Sequence, residues 1–117
     1  MTAPDAQPGL EAIVPPGSRW RNEVAARVML RVATYRPVRS AASVACPLLV
    51  CVCERDQTTP PAAAIKMGER APRGEVLRYP VGHFEIYVGE PFEQAIAAQT
   101  AFLQRHLAAV APAAAVA

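Results

Sequence analysis

The sequence lacks the features that mark membrane, nucleic-acid-binding and disulfide-stabilised proteins. The longest apolar stretch near its middle, Cys46 to Cys53, is far shorter than the roughly 20 residues that a membrane-spanning helix needs. The twelve Lys and Arg residues form no run or stripe with interleaved aromatic residues, and the net charge is only +2, so nothing indicates a nucleic-acid partner. Three cysteines cannot all pair, and we expect Cys51 and Cys53 to be reduced thiols in a buried strand.

The N-terminus also lacks the pattern of a secretion signal. An acidic residue, Asp5, stands where a signal peptide would carry Lys or Arg, and Pro8 and Gly9 interrupt any apolar segment. A cytoplasmic location is therefore the default expectation. A length of 117 residues with 52% hydrophobic content is typical of one small globular domain.

Three parts of the chain differ in composition. Residues 1–17 are rich in Pro and show no periodic pattern, which predicts a flexible lead-in, and residues 111–117 form an Ala-rich tail. Between them, residues 18–110 are predicted to form the domain. Its first element is a predicted helix from Arg19 to Thr34, because valines recur at every fourth position after a possible N-cap at Ser18. Trp20, Met29 and Met67 are candidate core residues.

The rest of the domain alternates between strand and helix patterns. The apolar run Leu48–Cys53 predicts a strand buried on both faces, as in the interior of a parallel sheet. A helix over 62–71 and a half-polar strand over 75–79 follow, and Pro91 then starts an amphipathic helix. We therefore predict an α/β fold in three layers, with two to three parallel strands and flanking helices. The final helix carries an apolar stripe that needs cover: Phe92, Ile96, Leu103, Leu107 and Val110.

Asp56 and His83 are the candidate functional residues, because each follows a predicted strand. Ligands of open α/β sheets collect at the carboxyl ends of strands. Asp56 could instead cap the following helix or pair with Arg55, and Glu54 is a second carboxylate that could take its place. Glu85 and Tyr87 lie close enough to His83 in sequence to line a pocket mouth. The other histidine, His106, is predicted to face solvent on the last helix.

Two segments resemble the last two catalytic loops of the α/β-hydrolase superfamily. They are Cys46–Pro61, which contains Asp56, and Leu77–Tyr87, which contains Gly82-His83-Phe84. In that family an acid and then a histidine complete a Ser, Asp, His relay. The resemblance implies that Asp56 is the triad acid and His83 the triad base. It also implies hydrolysis of a small-molecule ester or amide without metal or cofactor. Gly82 would permit a positive φ, and Phe84 would pack beneath the imidazole.

The nucleophile of that relay is missing from the sequence. No Gly-x-Ser-x-Gly, nor its cysteine equivalent, occurs, and Ser18, Ser40 and Ser43 lack the flanking glycines that a sharp elbow needs. We expect the C-terminal portion of a hydrolase, whose sheet a partner chain or self-association completes. Two alternatives remain open at this point. One is a non-catalytic remnant or interaction module, and the other is an unrelated α/β binding domain in which Asp56 and His83 do not converge.

The missing elbow predicts that the isolated chain is inactive. A fluorophosphonate probe reacts with serines that a neighbouring base activates, and none of the three serines stands in such a motif. We expect no labelling by mass spectrometry and no turnover of an activated ester above background. Stoichiometric labelling of Ser18, Ser40 or Ser43 would contradict this prediction.

Overall fold

The computed structural model describes residues 6–21, 23–32 and 34–107. The helices are α1 (Ala6–Ile13), α2 (Met29–Val32), α3 (Pro61–Arg70) and α4 (Gly89–His106), and the strands are β1 (Leu48–Cys53) and β2 (Gly74–Tyr79). Short 3₁₀ segments span Ala26–Val28, Pro37–Ser43 and Glu85–Tyr87. Within these residues, no helix combines the length and apolar character needed to cross a lipid bilayer.

The two strands form a parallel pair joined by α3. Their register sets Leu48 opposite Gly74 and Cys53 opposite Tyr79. Parallel strands need a crossover connection, which is helix α3 here. Pro61 is its first residue, and the residues that follow favour a helix. The predicted α/β arrangement is confirmed, with both strands and the crossover helix within one residue of their expected bounds.

Helices cover the two faces of the sheet unequally. Val50 and Val52 are buried on the face toward α3, where a Cβ at Gly68 would lie 3.3 Å from a Val50 methyl. On the other face, Cys51 and Cys53 are only partly buried, against a cluster that includes Ala95 of α4. The prediction that β1 is buried on both faces is therefore confirmed for the face toward α3, whereas the opposite face is only partly buried.

Helix α4 differs in detail from its prediction. It begins at Gly89, whose φ of +60° suits glycine, rather than at Pro91. Its buried residues are Ala95 and Phe102. The predicted apolar stripe lies along the border of the contact between α4 and the sheet, with exposures of 37% for Phe92 and 72% for Leu107. Val110 lies outside the described residues. Because α4 packs on a sheet of two strands, its apolar face is wider than the surface that covers it.

The predicted helix from Arg19 to Thr34 is wrong over most of its length. Helical geometry begins only at Ala26, and residues 22 and 33 lie outside the described part. The Ser18 hydroxyl accepts a hydrogen bond from the Trp20 amide (3.1 Å) in a local turn instead of capping a helix. Trp20 and Met29 are 50% and 68% exposed, so neither is a core residue. Periodic valines alone do not stabilise a helix, because most helical stability in proteins comes from packing of the apolar face.

Part of the predicted lead-in is helical. Residues 6–13 form α1, although Pro8 and Gly9 disfavour a helix, and Ala6 is buried. The division of the chain into lead-in, domain and tail stays a prediction, because residues 1–5 and 108–117 lie outside the described part. Ser40 and Ser43 lie in the 3₁₀ segment before β1.

Gly74 allows β2 to start directly against the end of α3. A Cβ at this position would lie 1.9 Å from the carbonyl oxygen of Gly68, which is backbone and cannot rotate away. We predict that Gly74→Ala lowers the free energy of unfolding by about 2–3 kcal/mol, as overpacking does. Urea denaturation measures this change. The control is Arg73→Ala, because this neighbouring exposed side chain should matter by less than about 0.5 kcal/mol. Equal effects of the two variants would contradict the prediction.

Candidate functional site

The loops after β1 and β2 lie side by side because the backbone pairing continues past the strands. The Glu54 amide donates to the Tyr79 carbonyl oxygen (2.8 Å), and the Arg55 amide donates to the Val81 carbonyl oxygen (3.0 Å). The Asp56 amide then turns back to the Cys53 carbonyl oxygen (3.2 Å). Residues that follow the two strands in sequence are thereby held next to each other at one edge of the sheet.

Asp56 and His83 meet across this junction. Their Oδ2 and Nδ1 atoms lie 2.8 Å apart, within hydrogen-bonding distance. Glu54, the alternative acid, instead faces Arg78 on the surface at 3.7 Å, and Arg55 pairs with Glu85 rather than with Asp56. The structure thus brings together the two predicted site residues and selects Asp56 over Glu54 as the partner of the histidine.

The loop itself holds the Asp56 carboxylate in place. Oδ1 accepts hydrogen bonds from the amides of Thr58 and Thr59, each at 2.8 Å. Oδ2 accepts from the Thr59 hydroxyl at 2.6 Å, in addition to its contact with His83. Asp56 therefore organises its own loop as well as binding His83. It neither caps α3 nor pairs with Arg55, the two alternatives that the sequence left open.

These hydrogen bonds keep Asp56 ionised. Burial raises the pKa of this carboxyl, but the hydrogen bonds from Thr59, His83 and the Thr58 amide outweigh it and lower the pKa to about 2. The carboxylate side chain is 8% exposed. A full negative charge consequently lies beside the imidazole at neutral pH.

The imidazole of His83 is held by the Asp56 carboxylate and by an aromatic contact, with the Thr59 hydroxyl 3.4 Å from its Nδ1. Its side chain is 27% exposed, and the Phe84 ring meets it edge to face, with centroids 4.8 Å apart and planes at 81°. The predicted contact with Phe84 is therefore present, although it is edge-on. Since Nδ1 faces the carboxylate, a neutral His83 with its proton on Nδ1 has the lone pair of Nε2 free to accept a proton.

The neighbours of His83 take different roles. Glu85 accepts a hydrogen bond from the Gly82 amide and lies 3.7 Å from Arg55, so it braces the histidine loop from the surface. Gly82 does not have the positive φ that the sequence suggested. His106 lies far along α4, where its Nε2 is 3.5 Å from Glu75 and its ring packs on Phe102.

A cavity of about 330 Å³ opens beside the pair. Cys51 and Cys53 line it from one face of β1, whereas Val52 lines it from the other. Burial and the nearby Asp56 carboxylate raise the pKa of the Cys53 thiol, so this thiol is protonated at neutral pH. The remaining lining residues come from both flanking helices and the two loops: Asp56, Thr59, Pro61, Ala64, His83, Ile86, Tyr87, Phe92, Ala95, Ile96 and Gln99.

Sequence reasoning missed the part played by Thr58 and Thr59. The signal was present, since an Asp followed two and three residues later by residues with free amides is typical of a side-chain-stabilised turn. Among the described residues, no group of three or more His, Cys, Asp or Glu side chains is arranged to hold a metal ion.

Comparison with known proteins yields relatives but no family or structural match. The chain is 42% identical over 105 residues to the quorum-quenching protein AidA of Acinetobacter baumannii, a match that covers 90% of this chain and 34% of that protein. It is 33% identical over 76 residues to an uncharacterized 31.7 kDa protein of the traX-finO intergenic region in Escherichia coli, covering 62% of this chain and 27% of that protein. The matches thus span about a third of the length of the first relative and about a quarter of the second. No protein-family profile and no solved structure matches it.

The low pKa of Asp56 predicts a specific pH dependence of stability. The pKa falls from an ordinary 3.8 to about 2 on folding, so the charged form stabilises the folded state above pH 4. This contribution, about 2 kcal/mol, should be lost as the pH falls from 4 to 2. Urea denaturation of the wild type and of Asp56→Asn at several pH values measures it. The difference between the two should shrink over this interval, whereas Glu54→Gln, at an exposed carboxylate, should change little. A constant difference would contradict the prediction.

Proposed function

We propose that this chain carries the acid and the base of a serine-hydrolase relay of the α/β-hydrolase type. The observation that carries the proposal is the 2.8 Å contact between Asp56 Oδ2 and His83 Nδ1. It joins residues 27 apart in sequence, at the sheet edge where such folds hold their ligands. Asp56 is the proposed triad acid and His83 the proposed triad base.

The geometry supports a different role for each of the two residues. The Asp56 carboxylate holds the Nδ1 proton and so orients the imidazole, leaving Nε2 to take a proton from a hydroxyl nucleophile. The imidazolium that forms is stabilised by the negative charge of Asp56, and it later returns the proton to the leaving group of an ester or amide. Asp56 itself keeps its charge throughout, in agreement with its pKa of about 2.

The cavity supports an origin of the nucleophile outside the described residues. Side chains on a strand alternate between faces, so a cavity lined by Cys51, Val52 and Cys53 must run along an edge of β1. Strand β2 occupies one edge, and the cavity therefore lies at the other. We propose that further strands of the sheet dock there, from another segment or a partner chain, and bring a serine elbow to the His83 end. An unpaired strand edge of this kind favours association.

The Acinetobacter relative supports a more specific activity. That protein is described as quorum-quenching, and the match covers the residues around both Asp56 and His83. We propose that the complete protein to which this chain contributes inactivates a quorum-sensing signal by hydrolysing its acyl bond. The cavity, whose walls are mostly apolar, would suit an apolar part of such a signal.

A second candidate follows from the same open edge. The chain could act as a non-catalytic interaction module that binds a strand without performing chemistry, since no nucleophile accompanies the pair in this sequence. The low pKa and hydrogen bonds of Asp56 would then serve loop stability alone. The two candidates differ in whether His83 is needed for turnover once the sheet is complete.

A chimera separates the candidates. The matched third of the Acinetobacter protein is replaced by the corresponding residues of this chain, and the product is assayed with an activated aryl ester and a quorum-sensing reporter strain. The parent protein is the positive control. We expect an active chimera in which His83→Ala or Asp56→Asn lowers kcat by roughly 10³-fold or more. Removing the base leaves the hydroxyl unactivated, and removing the acid leaves the imidazole without orientation.

His106→Ala is the matched control, because it removes the other histidine of the chain from a surface contact with Glu75. It should leave kcat within about twofold of the unmodified chimera, as changes at exposed sites usually do. A folded but inactive chimera, beside an active parent, would favour the interaction module. An active chimera that tolerates His83→Ala would reject the relay altogether.

A further inference from the structure

Helix α1 contacts the histidine loop through a glycine. A Cβ built on Gly9 would lie 2.2 Å from Cβ and 2.6 Å from Cγ of Phe84, so only glycine permits this approach. Glycine is among the least favourable residues within a helix. Its presence at the centre of α1 is therefore explained by the contact and not by helix formation.

Phe84 connects this contact to the candidate site. Its side chain is buried, at 6% exposure, and its ring meets the His83 imidazole edge to face. The atom that a Cβ at position 9 would meet first is the Phe84 Cβ, which is bonded to the backbone and cannot rotate away. A displacement at this point must consequently move the backbone next to His83 as well as the ring.

The two members of the pair depend on α1 to different degrees. Asp56 is held by hydrogen bonds from Thr58 and Thr59 within its own loop. For His83 the corresponding contacts are Asp56 itself, the Phe84 ring and the Thr59 hydroxyl at 3.4 Å. The orientation of the imidazole is therefore the part of the site that responds to packing around Phe84.

We propose that Gly9 and Phe84 are positioning residues, and that α1 holds the His83 imidazole against Asp56 by packing on Phe84. The inference rests on the proposed role of His83 as the base. It assigns residues 6–13, which lie within the predicted flexible lead-in of residues 1–17, a part in assembling the site.

The test uses Gly9→Ala in the full chain. Alanine favours the helix, so the variant should keep or raise the helicity of α1 while preventing its close approach to Phe84. NMR reports the Nδ1 proton of His83, which a hydrogen bond to a carboxylate protects from exchange with water. We expect this exchange to rise roughly tenfold or more in Gly9→Ala, as loss of a hydrogen bond to a charged group implies.

Phe84→Ala should have the same effect on the Nδ1 proton, because it removes the ring that transmits the contact. Glu11→Ala is the control, since it also substitutes alanine into α1 but at an exposed position. The amide signals of β1 and β2 report whether the sheet remains folded in each variant.

An unchanged exchange rate of the His83 Nδ1 proton in Gly9→Ala would overturn the proposal, whether α1 stays on the loop or detaches from it. Faster exchange with an intact sheet supports it. The measurement reports geometry without turnover. An inactive chimera would thus reject the proposed function, whereas unchanged exchange would reject the positioning of His83 by α1, so the two failures are distinguishable.

Discussion

The parallel pairing of β1 with β2 is the constraint on which the rest of this structure depends. Parallel strands place both of their carboxyl ends at one edge, so the segments that follow them in sequence become neighbours. Here the pairing runs on beyond the strands through the Glu54 and Arg55 amides, which fixes where the two loops begin. The approach of Asp56 to His83 follows from this register, because a shift of one residue would turn the flanking side chains to the opposite face.

Asp56 is fixed by hydrogen bonds within its own loop, whereas the orientation of His83 depends on contacts with other residues. Thr58 and Thr59 donate three hydrogen bonds to the Asp56 carboxylate, none of which depends on His83. Desolvation alone would raise the pKa of this group, and the donors reverse that effect. A carboxylate prepared in this way stays charged and immobile, which is what the orientation of an imidazole requires. His83, in contrast, is oriented by the packing of Phe84 as well as by the charge.

Within the described residues, β1 pairs with β2 along one edge and has no strand along the other. This arrangement accounts for several features that would otherwise be unrelated. The cavity wraps around this second edge, the α4 face of the strand is only partly covered, and the apolar border of α4 is exposed. Each is expected of a sheet surface on which another element packs. The trio of Val24, Val28 and Val32 is likewise exposed, so its predicted helix has no face to pack on in the described residues.

Elements with strong local patterns could be predicted, and contacts that depend on packing could not. The apolar run of β1, the helix formers of α3 and the Pro61 start specified the crossover unit, since propensity and periodicity there agree with the final environment. Asp56 and His83 could be predicted as functional residues because each follows one of the two strands in sequence. Local patterns predicted neither α1 nor the loss of the Arg19–Thr34 helix. Helix α1 forms despite Pro8 and Gly9, whereas the exposed valines of the Arg19–Thr34 segment lack the packing that a helix needs. The tertiary structure also decided the choice of Asp56 over Glu54, the close approach of Gly9 to Phe84 and, within the described residues, the pairing of β1 along one edge alone. The physical reason is common to all three: these features depend on distances between residues far apart in the chain, which composition and spacing along the sequence do not contain.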